Sequence, residues 1–202
     1  MMSLNRLYLN IEYHLLHDSK PSDYLKEIYS NNPLFQQYPF DMLYKLNDTK
    51  QSLKYHPEGT VWNHTLLVVN EAANVKSKSK NQKVFMWAAL LHDIGKPSTT
   101  KNRKGKITSY DHDEVGANLS KKFLLFFTED KNFIDQVCEL IRYHMQILFV
   151  VNNLPFSDIQ GMKEHTDIYE VALLGLCDRI GRLNSDRKKE QCTINQFLQK
   201  CK

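Results

Sequence analysis

One apolar segment, Val84 to Leu91, ends directly in the doublet His92-Asp93 and constrains this chain more than any other feature. The segment has no charged residue, so a helix formed from it must be buried on most of its sides. Burying an unpaired carboxylate is very costly, and a buried imidazole also needs partners. A divalent cation supplies the compensation, because it is the largest local charge that a site can hold. The doublet therefore indicates a metal site within a core.

The composition is ordinary for a soluble globular protein. The 202 residues suit one domain, or one domain with an extension. The net charge of +4 permits a phosphate-bearing substrate but does not imply a nucleic-acid binder. No apolar run approaches the length of a membrane span. The first residues do not resemble a signal peptide, so we expect a cytoplasmic protein whose four cysteines, at positions 138, 177, 192 and 201, stay reduced.

The hydrophobic periodicity predicts an all-α fold, because only seven glycines and no long alternating pattern are present. Thr60 and Ser22 are expected to cap two of the helices. A basic loop over 101–106 and a short extended piece over 107–110 are also predicted. The expected helices cover residues 4–17, 22–31, 39–49, 61–76, 83–94, 112–127, 130–149, 157–164, 167–183 and 190–200.

Two helix boundaries carry more specific predictions. Gly95 is the expected left-handed terminator after the doublet, and Pro97 should prevent the helix from continuing. Asp111 with Glu114 resembles a capping box at the start of the helix that contains His112.

Ionisable side chains lie on the predicted apolar faces of three further helices. His64, His144 and Asp178 each fall at helical spacing among aliphatic residues. A lone histidine on such a face is more often a core residue than a ligand, but convergence of several such residues favours a site. Mixed nitrogen and carboxylate donors suit iron, manganese, nickel, cobalt or zinc.

The order His64, His92-Asp93 and Asp178 resembles the HD-domain superfamily of metal-dependent phosphohydrolases. The strings over residues 56–65, 90–97 and 110–117 resemble the HD domain attached to bacterial tRNA CCA-adding nucleotidyltransferases. The resemblance implies an HD helical bundle over 56–202, preceded by a short N-terminal helical extension over 1–55. The glycine-rich, double-aspartate motif of a nucleotidyltransferase head is absent from the sequence.

The resemblance also implies the ligands. In this superfamily the first histidine, the doublet and the distant aspartate hold one metal, which here are His64, His92, Asp93 and Asp178. In some branches the doublet aspartate and two more histidines hold a second ion, and His112 and His144 occupy those places in sequence order. Asp167 is the alternative to Asp178. The expected cofactor is one or two divalent transition metal ions per chain.

Metal-activated water would attack a phosphorus atom, with Asp93 at the centre of the site. Lys96, three residues beyond Asp93, is the first candidate to bind the phosphoryl oxygens. Other substrate-binding candidates have alternatives. The cations of the basic loop are either a mobile lid or solvated side chains. His56 and Glu58 either contact the substrate, act as a general acid or shape the turn before Gly59. These further candidates are Arg142, Arg179, Arg103, Lys104, Lys106, His56 and Glu58.

The expected activity is hydrolysis of a phosphate ester, or of an anhydride, in a nucleotide or related small molecule. The alternatives are a non-catalytic module that binds a metal, a nucleotide or RNA, and a scaffold that has lost its metal. The sequence gives no specific indication of RNA or of an oligomeric state.

Overall fold

The computed structural model describes residues 3–202, so Met1 and Met2 of the predicted extension lie outside the described residues. Within that range the chain forms twelve α-helices, three short 3₁₀ turns and one two-stranded sheet. The predicted helical fold is confirmed, and the extended piece expected over 107–110 corresponds to the second strand of the small sheet. No helix in residues 3–202 is both long enough and apolar enough to cross a membrane, and the four cysteines are free thiols.

The elements follow one another with short connections. The 3₁₀ turns are Pro33–Gln36, Lys45–Asp48 and Lys76–Lys78. The strands are β1 Thr100–Arg103 and β2 Lys106–Ser109. The helices are α1 Leu4–His17, α2 Ser22–Asn31, α3 Asp41–Tyr44, α4 Val61–Val75, α5 Gln82–Leu91, α6 Lys96–Thr99, α7 His112–Leu125, α8 Lys131–Tyr143, α9 Gln146–Val151, α10 Ile159–His165, α11 Ile168–Ile180 and α12 Arg187–Lys200.

Helix α5 is the centre of the core, as its uncharged sequence requires. Every residue from Val84 to Leu91 is buried, and α1, α4, α8 and α11 pack around it. Helix α1 belongs to this same core: the Tyr8 ring stacks on Trp87 at 4.7 Å, and Trp87 Nε1 donates to Glu12 at 3.0 Å. The division of the chain at residues 55 and 56 stays a prediction.

Two predicted helices are broken. The helix over 39–49 is replaced by α3 and a 3₁₀ turn, because the amide of Lys45 bonds back to the carbonyls of both Asp41 and Leu43. The helix over 130–149 ends at Tyr143 and restarts at Gln146. At this break the imidazole of His144 bonds the carbonyl of Ile141 at 2.6 Å, so a side chain takes a carbonyl that helix continuation would use.

The predicted caps have mixed outcomes. Thr60 caps α4 as expected, because its hydroxyl accepts from the amide of Asn63 at 3.2 Å. Ser22 is not a cap: Pro21 holds that position, and the Ser22 hydroxyl instead accepts from Asn70 at 2.8 Å. A half-buried asparagine on α4 thus takes the serine hydroxyl in place of the helix amides.

The predicted capping box before α7 is wrong. Asp111 has a left-handed backbone with φ of 60° and makes no capping hydrogen bond. The carboxylate of Glu114 accepts instead from Arg142 on α8 at 2.6 Å. Ion pairing between helices therefore replaces the local cap.

Gly95 is not a left-handed terminator, since its φ is −78°. Close packing explains why this position has a glycine. A Cβ at Gly95 would lie 2.2 Å from the carbonyl oxygen of His112 and 2.7 Å from the amide of Gly116. Pro97 begins a helix rather than ending one, because it lies in the first turn of α6, where its fixed φ and missing N–H are tolerated.

The predicted basic loop is a β-hairpin. Strands β1 and β2 pair antiparallel, with Thr100 opposite Ser109 and Arg103 opposite Lys106. Only Lys104 and Gly105 form the turn. The hairpin joins α6 to α7. Helix α6, which precedes it, begins with Lys96, and α7, which follows it, begins with His112, so both neighbouring helices begin with a candidate site residue.

Candidate metal centre

Six ionisable side chains from five helices or helix ends converge beside the end of α5. The ligand atoms of His64, His92 and Asp93 lie within 4.8 Å of one another, and so do those of Asp93, His112 and His144. Asp178 joins the first group, since its Oδ1 lies 2.9 Å from His64 Nε2. All six residues are buried. Asp93 is the member common to both groups.

The doublet lies in the turn immediately after α5, which ends at Leu91. This position lets the two adjacent side chains reach one point, although successive residues diverge by about 100° around a helix. Asp93 Oδ2 lies 3.3 Å from His92 Nε2 and 4.0 Å from His64 Nε2. Its other oxygen, Oδ1, lies 3.5 Å from His112 Nε2. Each carboxylate oxygen of Asp93 thus faces a different group of histidines.

Three of the histidines are oriented by backbone carbonyls. In each, Nδ1 lies 2.6–2.9 Å from the carbonyl oxygen of the residue three positions earlier. A carbonyl only accepts, so Nδ1 carries a proton, and in a neutral ring Nε2 then keeps the lone pair. Outer partners of this kind are typical of metal-binding histidines. The pairs are His92 with Ala89, His112 with Ser109, and His144 with Ile141.

The inward nitrogens lack protein partners. Nε2 of His92 and Nε2 of His112 are buried and have no hydrogen-bond partner within residues 3–202. Leaving such atoms unpaired is costly, and a cation would relieve that cost. Burial and the Lys96 ammonium lower the pKa of His112 to about 4, and burial with nearby His92 lowers the pKa of His144. Both are therefore neutral near pH 7, as metal ligands must be.

Asp93 is held as a carboxylate. Burial alone would raise its pKa, but His92 and Lys96 outweigh burial and keep the pKa well below its ordinary value. Lys96 Nζ lies 2.7 Å from Asp93 Oδ2 and donates to Gln51 Oε1 at 2.8 Å. Lys96 is itself buried, so the site contains a fixed cation beside its central carboxylate.

Asp178 also has a cationic neighbour. The Arg182 guanidinium lies 3.3 Å from Asp178 Oδ2. Burial would raise the pKa of Asp178, but Arg182 and His64 hold it well below its usual range. The alternative ligand, Asp167, lies elsewhere: it caps the start of α11 and forms an ion pair with Lys80.

Glu58 is buried behind His64. Its Oε1 lies 3.0 Å from His64 Nδ1 and accepts from His56 Nδ1 at 2.9 Å. Its Oε2 accepts from the amide of Leu183 at 3.3 Å. Both carboxylate oxygens of Glu58 thus contact protein groups.

The remaining substrate-binding candidates either form ion pairs elsewhere or are exposed to solvent. Arg142 pairs with Asp113 and Glu114, and Arg179 pairs with Glu190. Neither forms a hydrogen bond or ion pair with the six converging residues within the described part of the chain, so a role in substrate binding stays a prediction. The hairpin cations Arg103, Lys104 and Lys106 are exposed.

Two contacts of the site were not predicted. Arg182 has a sequence signal in retrospect, because it follows Asp178 by four residues on a predicted helix, the spacing of a helical ion pair. Gln51 has none, since a lone glutamine in an irregular segment carries no pattern.

Comparison with known proteins gives a family match. The sequence model of the family described as "HD domain" matches residues 61–183. Residues Gln51, His56 and Glu58 therefore lie outside the matched region, although all three contact the site directly or through one residue.

Two of the curated relatives are named Multifunctional CCA protein, and a third is named CC-adding tRNA nucleotidyltransferase. The Multifunctional CCA protein of Actinobacillus pleuropneumoniae serotype 5b (strain L20) is 32% identical over 123 residues, 59% of this chain and 28% of that protein. The protein of the same name in Pasteurella multocida (strain Pm70) is 27% identical over 72% of this chain and 34% of its own length. The CC-adding tRNA nucleotidyltransferase of Thermus thermophilus is 32% identical over 43% of this chain and 20% of its own length. This chain thus spans about a third or less of these relatives.

Proposed function

Because this chain belongs to the HD domain family, we propose that it is a metal-dependent phosphohydrolase that cleaves a phosphate ester, or an anhydride, of a nucleotide or related small molecule. The observation that carries this proposal is the position of Asp93, whose two oxygens face two separate groups of inward nitrogens. Hydrolysis requires a polarised phosphoryl group and an activated water, and a metal centre provides both.

The donor set fits divalent transition metals. His64, His92, Asp93 and Asp178 would hold one ion, and Asp93, His112 and His144 would hold a second. Nitrogen and carboxylate donors together favour iron, manganese, nickel, cobalt or zinc over magnesium or calcium. When bound, such an ion lowers the pKa of a coordinated water towards about 7 and polarises a phosphoryl oxygen.

Lys96 would bind the phosphoryl oxygens of the substrate. Its ammonium is already fixed between Asp93 and Gln51, so little reorganisation is needed when negative charge develops nearby. Arg182 adds a second positive charge through Asp178, which contacts His64.

The hairpin supports a phosphate-bearing substrate. Residues opposite one another in an antiparallel sheet project on the same side, so Arg103 and Lys106 share a face, and Lys101 alternates onto it. None of these three cations has a carboxylate within ion-pair distance in residues 3–202. Like charges directly opposed are unfavourable, and an anionic ligand would offset that repulsion.

The test is turnover of bis-para-nitrophenyl phosphate and of 2′,3′-cyclic nucleotides with added Mn²⁺, Ni²⁺ or Fe²⁺. We expect activity in the wild type, loss of activity in Asp93→Asn, and no loss in the matched control Asp135→Asn, which alters an exposed aspartate. Tight nucleotide binding without turnover under every metal would contradict the proposal and favour a regulatory binding module.

A further inference from the structure

Glu58 connects the two candidate ligands that are farthest apart in the chain. Its Oε1 lies 3.0 Å from Nδ1 of His64 at the start of α4, and its Oε2 accepts from the amide of Leu183, just beyond α11. Leu183 follows Arg182, whose guanidinium contacts Asp178. One carboxylate therefore contacts both the ring of the first ligand and the segment that follows the last one.

The carboxylate is enclosed and fully engaged. The side chain of Glu58 is only 2% exposed, and its backbone carbonyl accepts from the Asn63 side chain at 2.9 Å. Nδ1 of His56 donates to Oε1 of Glu58 at 2.9 Å. This is the same oxygen that lies 3.0 Å from Nδ1 of His64. A side chain held in this way has no free oxygen for a substrate, which argues against the substrate-binding role expected from the sequence.

The two nitrogens of His64 face different carboxylates. Nδ1 faces Glu58, while Nε2 faces Asp178 and Asp93 at 2.9 and 4.0 Å. In the other three histidines, Nδ1 donates to a backbone carbonyl. Nδ1 of His64 has no hydrogen bond of good geometry within residues 3–202, and the Glu58 carboxylate lies 3.0 Å from it.

We propose that Glu58 is a positioning residue that keeps the proton of His64 on Nδ1 and so presents Nε2 to a metal ion. The proposal rests on the metal site of the proposed function, but not on any particular reaction. Outer carboxylates that accept from a ligating histidine fix its tautomer and ring orientation, and their loss weakens metal binding by about 10–100-fold.

The first experiment measures Mn²⁺ affinity by calorimetry, without substrate, for the wild type, Glu58→Gln and Glu58→Ala. We expect affinity to fall about tenfold in Glu58→Gln and up to about 100-fold in Glu58→Ala. The control is Glu71→Gln, which makes the same change on α4 at a carboxylate paired with Arg187; its affinity should not change. Equal affinities for Glu58→Gln, Glu71→Gln and the wild type would overturn the proposal.

The second experiment measures the wild type and uses one variant only to assign its signals. Long-range ¹H–¹⁵N spectra of the wild type with Zn²⁺ assign the protonated nitrogen of His64, identified by its loss in His64→Gln. A proton on Nδ1 supports the proposal, and a proton on Nε2 overturns it. Turnover does not enter either measurement, so a chain that binds metal as expected but hydrolyses nothing would contradict only the proposed function.

Discussion

The imidazole of His64 on α4 and the carboxylate of Asp178 on α11 lie 2.9 Å apart, although 114 positions separate them in the chain. This contact closes the site, because α4 and α11 also pack directly against each other and against α5. Long-range packing of three helices, rather than any local motif, thus brings the donors together.

We expect Asp178→Asn to abolish binding of one ion, whereas Asp167→Asn should retain it. The amide of the first variant is neutral and a poorer ligand for a divalent cation, while Asp167 is occupied by Lys80 at the surface. Elemental analysis after reconstitution with Mn²⁺ gives the result. Retained metal in Asp178→Asn together with loss in Asp167→Asn would reverse the assignment.

Two ions should bind, and they should be separable by mutation. His144→Ala removes a donor of only the second group, and His64→Ala removes a donor of only the first. Each variant should therefore fall from about two metal ions per chain to about one, while Asp93→Asn should approach zero. A wild-type chain saturating at one ion, unchanged in His144→Ala, would contradict the second group.

Lys96→Met should lower kcat without weakening metal binding. The ammonium is expected to stabilise charge on the substrate, and removing one such donor costs about 10²–10³ in kcat. Loss of a cation from Asp93 Oδ2, 2.7 Å away, should leave metal affinity equal or higher. Lys80→Met is the matched control at the surface. Weaker metal binding in Lys96→Met would show that the lysine supports the ligands instead.

The exposed cations of the hairpin should contribute to substrate binding. Arg103→Thr removes the like charge opposite Lys106 and also the guanidinium that lies 5.0 Å from the centre of the Tyr110 ring. These effects oppose each other, so the free energy of unfolding should change by less than about 1 kcal/mol in urea titrations. The same variant should raise KM for a phosphorylated substrate. Asn102→Thr, on the other face of β1, should leave KM unchanged. A KM unaffected by Arg103→Thr would indicate that the hairpin cations are merely solvated.

Gly95→Ala should destabilise the fold and disturb the second group of donors. The added Cβ would meet the His112 carbonyl at 2.2 Å, so the start of α7 must move. Overpacking of this kind costs about 1–3 kcal/mol. Thermal melts and Mn²⁺ stoichiometry measure both effects. Gly105→Ala controls for substitution of a glycine in open space; its φ of +78° should cost stability without changing the metal content.

Much of the site could be predicted because its donors carry a strong local signal. An apolar run that ends in His92-Asp93, and histidines at helical spacing on apolar faces, are patterns within a single helix. The expected HD-domain resemblance is confirmed by the family match over residues 61–183.

The predictions that were wrong or missing concern contacts between residues that are distant in the sequence. Gly95 is explained by the backbone of α7 rather than by its own turn, and Glu114 prefers Arg142 to a local cap. Gln51 reaches Lys96 from an irregular segment. Periodicity describes one element at a time, so it could not predict these partners.

The stacking of Tyr8 on Trp87 has a practical consequence for fragments of this protein. A polypeptide trimmed to residues 61–183 would uncover the indole of Trp87 on the very helix that leads into the doublet, and would also lack Gln51 and Glu58. Such a fragment should expose apolar surface on α5, aggregate readily and be poorly ordered near the His92-Asp93 doublet. The fluorescence of Trp87 should shift when Tyr8 no longer stacks on it. This shift would report whether α1 is packed against α5.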